Sequence, residues 1–175
     1  MKAIVVYNSK TGFTKKYGEW IAQEIGCEAV PYKKEMNGIS DYDTVIYGGG
    51  IMAGKVNGLD AFKSKVQSDT QKLIVYATGA TDFRAMDVIA QMRNSNLTEK
   101  EQKSTPFFYF EGGINYDEMS VGSKLITKML YKMLKNKKDK TPEEAGMAQA
   151  LEHSFDHSDR KSIIGMTTMI KEMVS

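Results

Sequence analysis

A single cysteine, Cys27, stands in 175 residues, so no internal disulfide can form. That suits a reducing compartment and points to the cytoplasm. The two histidines, His153 and His157, stand four apart beside Asp156 and could share a helix face. With Cys27 as the one other soft ligand, they cannot complete a structural zinc site and read as surface residues near a helix end. Net charge is only +2, which carries no global signal for nucleic acid, and no nucleic-acid partner is expected. Apolar runs are short. None approaches the roughly 20 residues needed to cross a bilayer. The opening run at 4–6 is brief and no small-residue cleavage site follows it, which reads against a signal peptide.

What is present is alternation. Apolar, β-branched runs at 2–7, 27–31, 44–47, 73–77 and 106–110 read as strands. Helical patterns at 14–25, 59–66 and 83–92 separate them. Unbroken apolar strands joined by helix-length connections imply right-handed crossovers and a parallel sheet covered on both faces. The expectation is a three-layer, doubly wound α/β fold with a five-stranded parallel sheet in the order 2-1-3-4-5. Ligands of such folds sit beyond the carboxyl ends of the strands. Here those ends fall at 8–14, 48–54, 78–83 and 111–115, all rich in glycine, hydroxyls or small residues.

About 65 residues follow the fifth strand, more than one closing helix requires. Residues 119–134 put Leu125, Ile126, Met129, Leu130, Met133 and Leu134 on one broad face, and Lys124, Lys128, Lys132 and Lys135 form a stripe beside it. Seven lysines stand between 119 and 140 against one acid, Asp139. Thr141 is a good N-cap, followed by Pro142 at the first helical position and Glu143 and Glu144 near the positive end of the dipole. Residues 163–174 supply a last helix. The whole chain, 1–175, reads as one domain with 112–160 as a helical insertion.

The densest chemical signal is Val5-Val6-Tyr7-Asn8-Ser9-Lys10-Thr11-Gly12-Phe13-Thr14, followed by an amphipathic helix. A phosphate monoester needs donors and little bulk. Ser9, Thr11 and Thr14 bring hydroxyls, Gly12 admits backbone, and a helix N-terminus adds N–H groups and a favourable dipole. The plainer account is a strand-to-helix turn. This segment resembles the flavodoxin signature: an aromatic strand end (Tyr7), then Ser9, Gly12 and Thr14, with Ile21 at the later apolar position. Gly18 stands where that pattern prefers alanine.

The resemblance implies FMN as cofactor, its phosphate held by Ser9, Lys10, Thr11, Gly12, Phe13 and Thr14. It implies that Gly49, Gly50, Ile51, Met52 and Ala53, with Thr78, Gly79 and Ala80, flank the isoalloxazine. Flavodoxins commonly clamp the ring between aromatics and, as electron shuttles, are usually acidic. Here Ile51 and Met52 occupy the second loop, the third offers Phe83, and the chain is not acidic. Asp82 is the one acid close to the expected ring site, where it would lower the flavin potential.

A further stretch, Gly112-Gly113-Ile114-Asn115-Tyr116 and the basic helix spanning 124–138, resembles the flavodoxin-domain protoporphyrinogen dehydrogenases, which pass electrons to quinone. That resemblance implies an FMN oxidoreductase meeting a quinone, porphyrinogen or similar organic partner, with peripheral membrane contact through the basic helix. A helix packed on its own domain with a solvated lysine edge is the simpler expectation for 119–134. Two other classes stay open: a flavodoxin-type carrier serving larger redox proteins, and a non-redox interaction module. Gly49 to Val56 comes close to a nucleotide-binding Gly-x4-Gly-Lys loop, but Val56 replaces the magnesium-binding hydroxyl.

Overall fold

The computed structural model describes residues 2–36, 38–67 and 69–174. Strands β1 (Ala3–Asn8), β2 (Glu28–Pro31), β3 (Thr44–Met52), β4 (Lys55–Val56), β5 (Lys72–Gly79), β6 (Phe107–Glu111), β7 (Gly113–Ile114) and β8 (Phe155–Asp156) alternate with helices. The helices are α1 (Phe13–Ile25), α2 (Leu59–Lys63), α3 (Met86–Asn96), α4 (Glu99–Ser104), α5 (Val121–Asn136), α6 (Pro142–Ala150) and α7 (Ile164–Val174). The main sheet runs β2-β1-β3-β5-β6, all parallel. This is the expected 2-1-3-4-5 winding of five strands. The short β4 adds to it antiparallel, at the end of β3.

Strand side chains alternate between two cores, which is why the strands read as unbroken apolar runs. Val5, Ile46, Ile74, Tyr76 and Phe110 face α1 and α7, meeting Tyr17, Ile21, Met166 and Ile170. Ile4, Val6, Val45, Tyr47, Val75 and Ala77 face the other way, onto Leu59 and Phe62 of α2.

The third strand is longer than the sequence suggests. It continues through Gly48, Gly49 and Gly50 to Met52, although glycine weakens strands. The reason is packing. A Cβ on Gly48 would fall 1.9 Å from Cζ of Tyr76, and one on Gly49 would fall 2.6 Å from Cγ1 of Val56. β3 then reverses into β4 through a two-residue turn, Ala53-Gly54, with φ of 49° and 77°. Positive φ at both positions matches the twist of the hairpin. The segment from Gly49 to Val56 that resembles a nucleotide-binding loop is therefore a β-hairpin, not a strand-loop-helix.

Beyond β6, residues 112–160 hold β7, α5, α6 and β8, with a small core of Ile114, Leu134 and Leu151. Thr141 caps α6 with Pro142 at the first helical position, as expected, and Glu144 reaches back to complete a capping box; the side chain of Glu143 lies outside the described residues. His153 sits in a turn and His157 follows β8, so no helix face joins them. Among the described residues no cluster could hold a metal ion.

α5 packs on its own domain with its lysines solvated, but it buries only part of its apolar face. Leu134 is its one buried side chain and Leu130 is half-buried. Val121, Leu125, Ile126, Met129 and Met133 point out. Periodicity reveals an apolar face but not what covers it. Among the described residues no helix is long and apolar enough to cross a membrane.

Candidate functional site

Three chain segments meet at the carboxyl end of the sheet. β1 ends at Asn8 and α1 begins at Phe13, leaving Ser9, Lys10, Thr11 and Gly12 as the connecting loop. The Gly12 N–H donates to Ser9 Oγ at 3.2 Å, curling the loop back on itself. Gly12 has φ +94°, and a Cβ there would meet nothing within 4 Å.

α4, α5 and α6 are capped by the side chains of Thr98, Ser120 and Thr141. The start of α1 lacks a side-chain cap, as do those of α2 and α3, but unlike those two it has no acid in its first turn. Its first N–H groups and the positive end of its dipole are left for an anion.

Thr14, in the first turn of α1, hydrogen-bonds Thr78 at the end of β5, with 2.7 Å between the two hydroxyl oxygens. Both residues are buried. One hydroxyl must donate to the other, so the pair keeps one further O–H to offer. Gly50 completes the junction. A Cβ there would lie 3.7 Å from Thr14 Oγ1 and 4.0 Å from Thr78 Oγ1. Residues expected at the site from three separate stretches are therefore adjacent.

The remaining expected residues are placed as follows. Lys10, Met52, Ala53 and Ala80 are exposed, while Ser9, Thr11, Ile51 and Gly79 are half-buried. Gly49 is buried beneath the β3–β4 hairpin. Phe13 turns toward the insertion: its ring carbons lie 3.0 and 3.1 Å from where Cβ atoms of Gly112 and Gly113 would be. Gly79 O accepts from Gly112 N at 2.7 Å, and Thr81 O accepts from Tyr109 Oη at 2.8 Å, holding the loop after β5. Phe83, also on that loop, is exposed and carries the Arg84 guanidinium over its ring.

Asp82 is paired rather than isolated. Arg84 Nε donates to it at 2.9 Å, and this pairing pulls the Asp82 pKa down to about 2. The expected negative field at the site is thus largely offset by the adjoining cation.

Several site-lining contacts had no signal in the sequence because they join distant segments. Lys16 Nζ reaches Asp156 Oδ2 at 2.6 Å and Ser158 Oγ at 2.8 Å. His157 Nδ1 lies 2.7 Å from Glu111 Oε1, and the other oxygen of Glu111 accepts from Phe83 N at 3.3 Å. Tyr17 Oη donates to Glu111 O at 2.6 Å and accepts from Asp159 N at 3.0 Å. Together these fasten β8 over the start of α1. Tyr76 Oη donates to Thr14 O at 2.9 Å, and a Cβ on Gly18 would stand 2.7 Å from Tyr76 Oη. That contact explains glycine where the signature prefers alanine.

Curated proteins give no match to the chain. Among solved structures, the chain is similar to a putative flavoprotein from Bacteroides uniformis (12% identity, 67% of this chain and 94% of that one, TM-score 0.49). It is similar to a flavoprotein in complex with FMN from Lactobacillus acidophilus (14% identity, 62% and 91%, TM-score 0.44). It is also similar to a flavodoxin from the domain Archaea (15% identity, 87% and 100%, TM-score 0.41). The sequence profile described as "Flavodoxin domain" matches residues 4–141, most of the chain. The chain belongs to the flavodoxin-domain family.

Proposed function

We propose that this chain is an FMN-binding redox protein that passes electrons between its flavin and a small organic partner of the quinone or porphyrinogen class. The observation that carries the reading is the junction of Thr14, Gly50 and Thr78 beneath the uncapped, acid-free start of α1. That cradle suits a phosphate monoester, which needs N–H and O–H donors and room to approach backbone. Membership of the flavodoxin-domain family supports FMN as the occupant.

Ser9, Lys10, Thr11, Gly12, Phe13 and Thr14 would hold the phosphate, with Phe13 acting through its packing on Gly112 and Gly113. Gly49, Gly50, Ile51, Met52 and Ala53 on one side, and Thr78, Gly79 and Ala80 on the other, would flank the ring. Bound FMN supplies the electron chemistry, and the protein sets its orientation and access. Met52 and Phe83, exposed on the two flanking loops, offer apolar walls that would exclude water from the ring. The Asp82–Arg84 pair leaves little net charge against it. A carrier serving larger redox proteins is less well supported, since the chain has no acidic excess with which to dock them.

The test is reconstitution. Apoprotein incubated with FMN and desalted is expected to keep near-stoichiometric flavin by its absorption bands, and Gly12→Val to weaken binding at least about tenfold. Photoreduced holoprotein is expected to be reoxidised anaerobically by a water-soluble quinone. A chain that retains no flavin overturns the reading; a flavin that the quinone leaves reduced overturns the assigned partner.

A further inference from the structure

The helix α5 has three kinds of side. One packs inward through Leu130 and Leu134. A second carries Lys124, Lys128, Lys132 and Lys135, which border an open groove of about 620 Å³ together with Tyr131 and two acids, Asp117 and Glu152. The third is an apolar stripe of Val121, Leu125, Ile126, Met129 and Met133, each between 60% and 85% exposed. Val121, Leu125, Met129 and Met133, each four apart, form a row next to the lysine edge, and Ile126 extends it toward the row of Leu130 and Leu134. The helix contains no Asp or Glu. Lys135 Nζ donates to Tyr131 Oη; among the described residues, Lys124, Lys128 and Lys132 have no ion-pair partner.

We infer that α5 lies flat on an anionic lipid surface, with its apolar stripe among the acyl-chain boundaries and its lysines at the headgroups. Burial of such a stripe, combined with lysines bordering it, is the pattern by which in-plane helices hold to membranes. At sixteen residues the helix is about 24 Å long, too short to cross the bilayer core and suited to lying in its plane. Charge decides between lipid and a second copy of the chain. Lipid phosphates and serine carboxylates neutralise the lysine edge. A second α5 would bring four more lysines and no acid. The stripe and the lysines belong to the polypeptide whether or not a cofactor is bound, so this inference stands apart from the redox reading.

The experiment uses the full chain, in sedimentation with vesicles of phosphatidylcholine containing about one-third phosphatidylserine, and with phosphatidylcholine alone. Binding is expected to the first and not the second, and to fall at least about tenfold between low and high salt. Lys128→Glu with Lys132→Glu should weaken it at least about tenfold, and Leu125→Asp with Met129→Asp should abolish it. Leu125→Ser with Met129→Ser is a milder check that keeps the test valid if the charged pair fails to fold. Circular dichroism and flavin retention should stay at the wild-type level in all three, because the altered side chains are exposed. No binding to the anionic vesicles, equal binding to neutral ones, or wild-type binding by the Leu125/Met129 variants overturns the inference. So does self-association without lipid that the same variants abolish, which would assign the stripe to a second copy.

Discussion

Thr14 Oγ1 and Thr78 Oγ1 share a hydrogen bond of 2.7 Å in a place closed to water, tying the first turn of α1 to the end of the central strand β5. Removing one partner strands the other. Thr78→Val should therefore cost about 1–3 kcal/mol, the penalty for a buried hydroxyl without a partner. Thr14→Val with Thr78→Val should cost clearly less than the sum of the two single changes. Urea unfolding of the four proteins in the cycle measures this, and strict additivity would show that the two hydroxyls do not couple.

Gly18 and Tyr76 form a second coupled pair. The Tyr76 phenol fills the space that a Cβ on Gly18 would need, and burial raises its pKa well above the usual value, so it stays a neutral donor to Thr14 O. Gly18→Ala should destabilise by about 1–3 kcal/mol through overpacking. In a Tyr76→Phe background, where the obstructing oxygen is gone, the same change should cost much less. Thermal melts of the single and double variants provide the check; an equal penalty in both backgrounds would place the strain elsewhere.

Two backbone positions should respond in opposite directions. Gly12 and Ala53 both have positive φ, at 94° and 49°. Gly12→Ala should lose about 1–2 kcal/mol, since the space around it is open and backbone strain is the whole cost. Ala53 already bears such strain in its hairpin turn. Ala53→Asn, which tolerates the left-handed region, should raise stability by up to about 1 kcal/mol. Chemical denaturation of both reads the sign directly.

These cases show where the sequence is informative. Val5 and Val6 are adjacent yet face opposite cores, so β1 had to be apolar throughout, and the parallel sheet follows from that. The loop from Ser9 to Gly12 was visible because its donors and its glycine are consecutive. Gly48 to Gly50 looked like a loop because a glycine does not announce that Tyr76 and Val56 will occupy its space. The Ala53-Gly54 turn lacks the Asn-Gly or Asp-Gly marker of tight hairpins. Lys16 and Asp156 are 140 residues apart, and no local pattern links them. The apolar period of α5 was legible, but its direction was not, because Leu130 and Met129 are equally apolar and only tertiary packing separates them.

The Lys16–Asp156 contact carries the last prediction, an acid-sensitive fastening of the insertion. Partial burial alone would raise the Asp156 pKa. The hydrogen bonds from Lys16 and from the hydroxyl and N–H of Ser158 outweigh it and hold the carboxyl below its ordinary range. A carboxyl whose folded pKa is depressed adds stability that is present above its unfolded value and is lost as pH falls through the folded one. The contribution should therefore be complete above about pH 4–5 and fade below it. Both side chains are more than a third exposed, so solvent limits the pair to about 1 kcal/mol or less. Asp156→Asn should melt below wild type at pH 7, and the gap should close as the pH falls below the ordinary carboxylate range. Comparing the variant with wild type at each pH cancels Glu111 and the other carboxyls that titrate in the same range. A gap that stays constant from pH 7 to the acid limit would mean that the Asp156 charge does not hold β8 to α1.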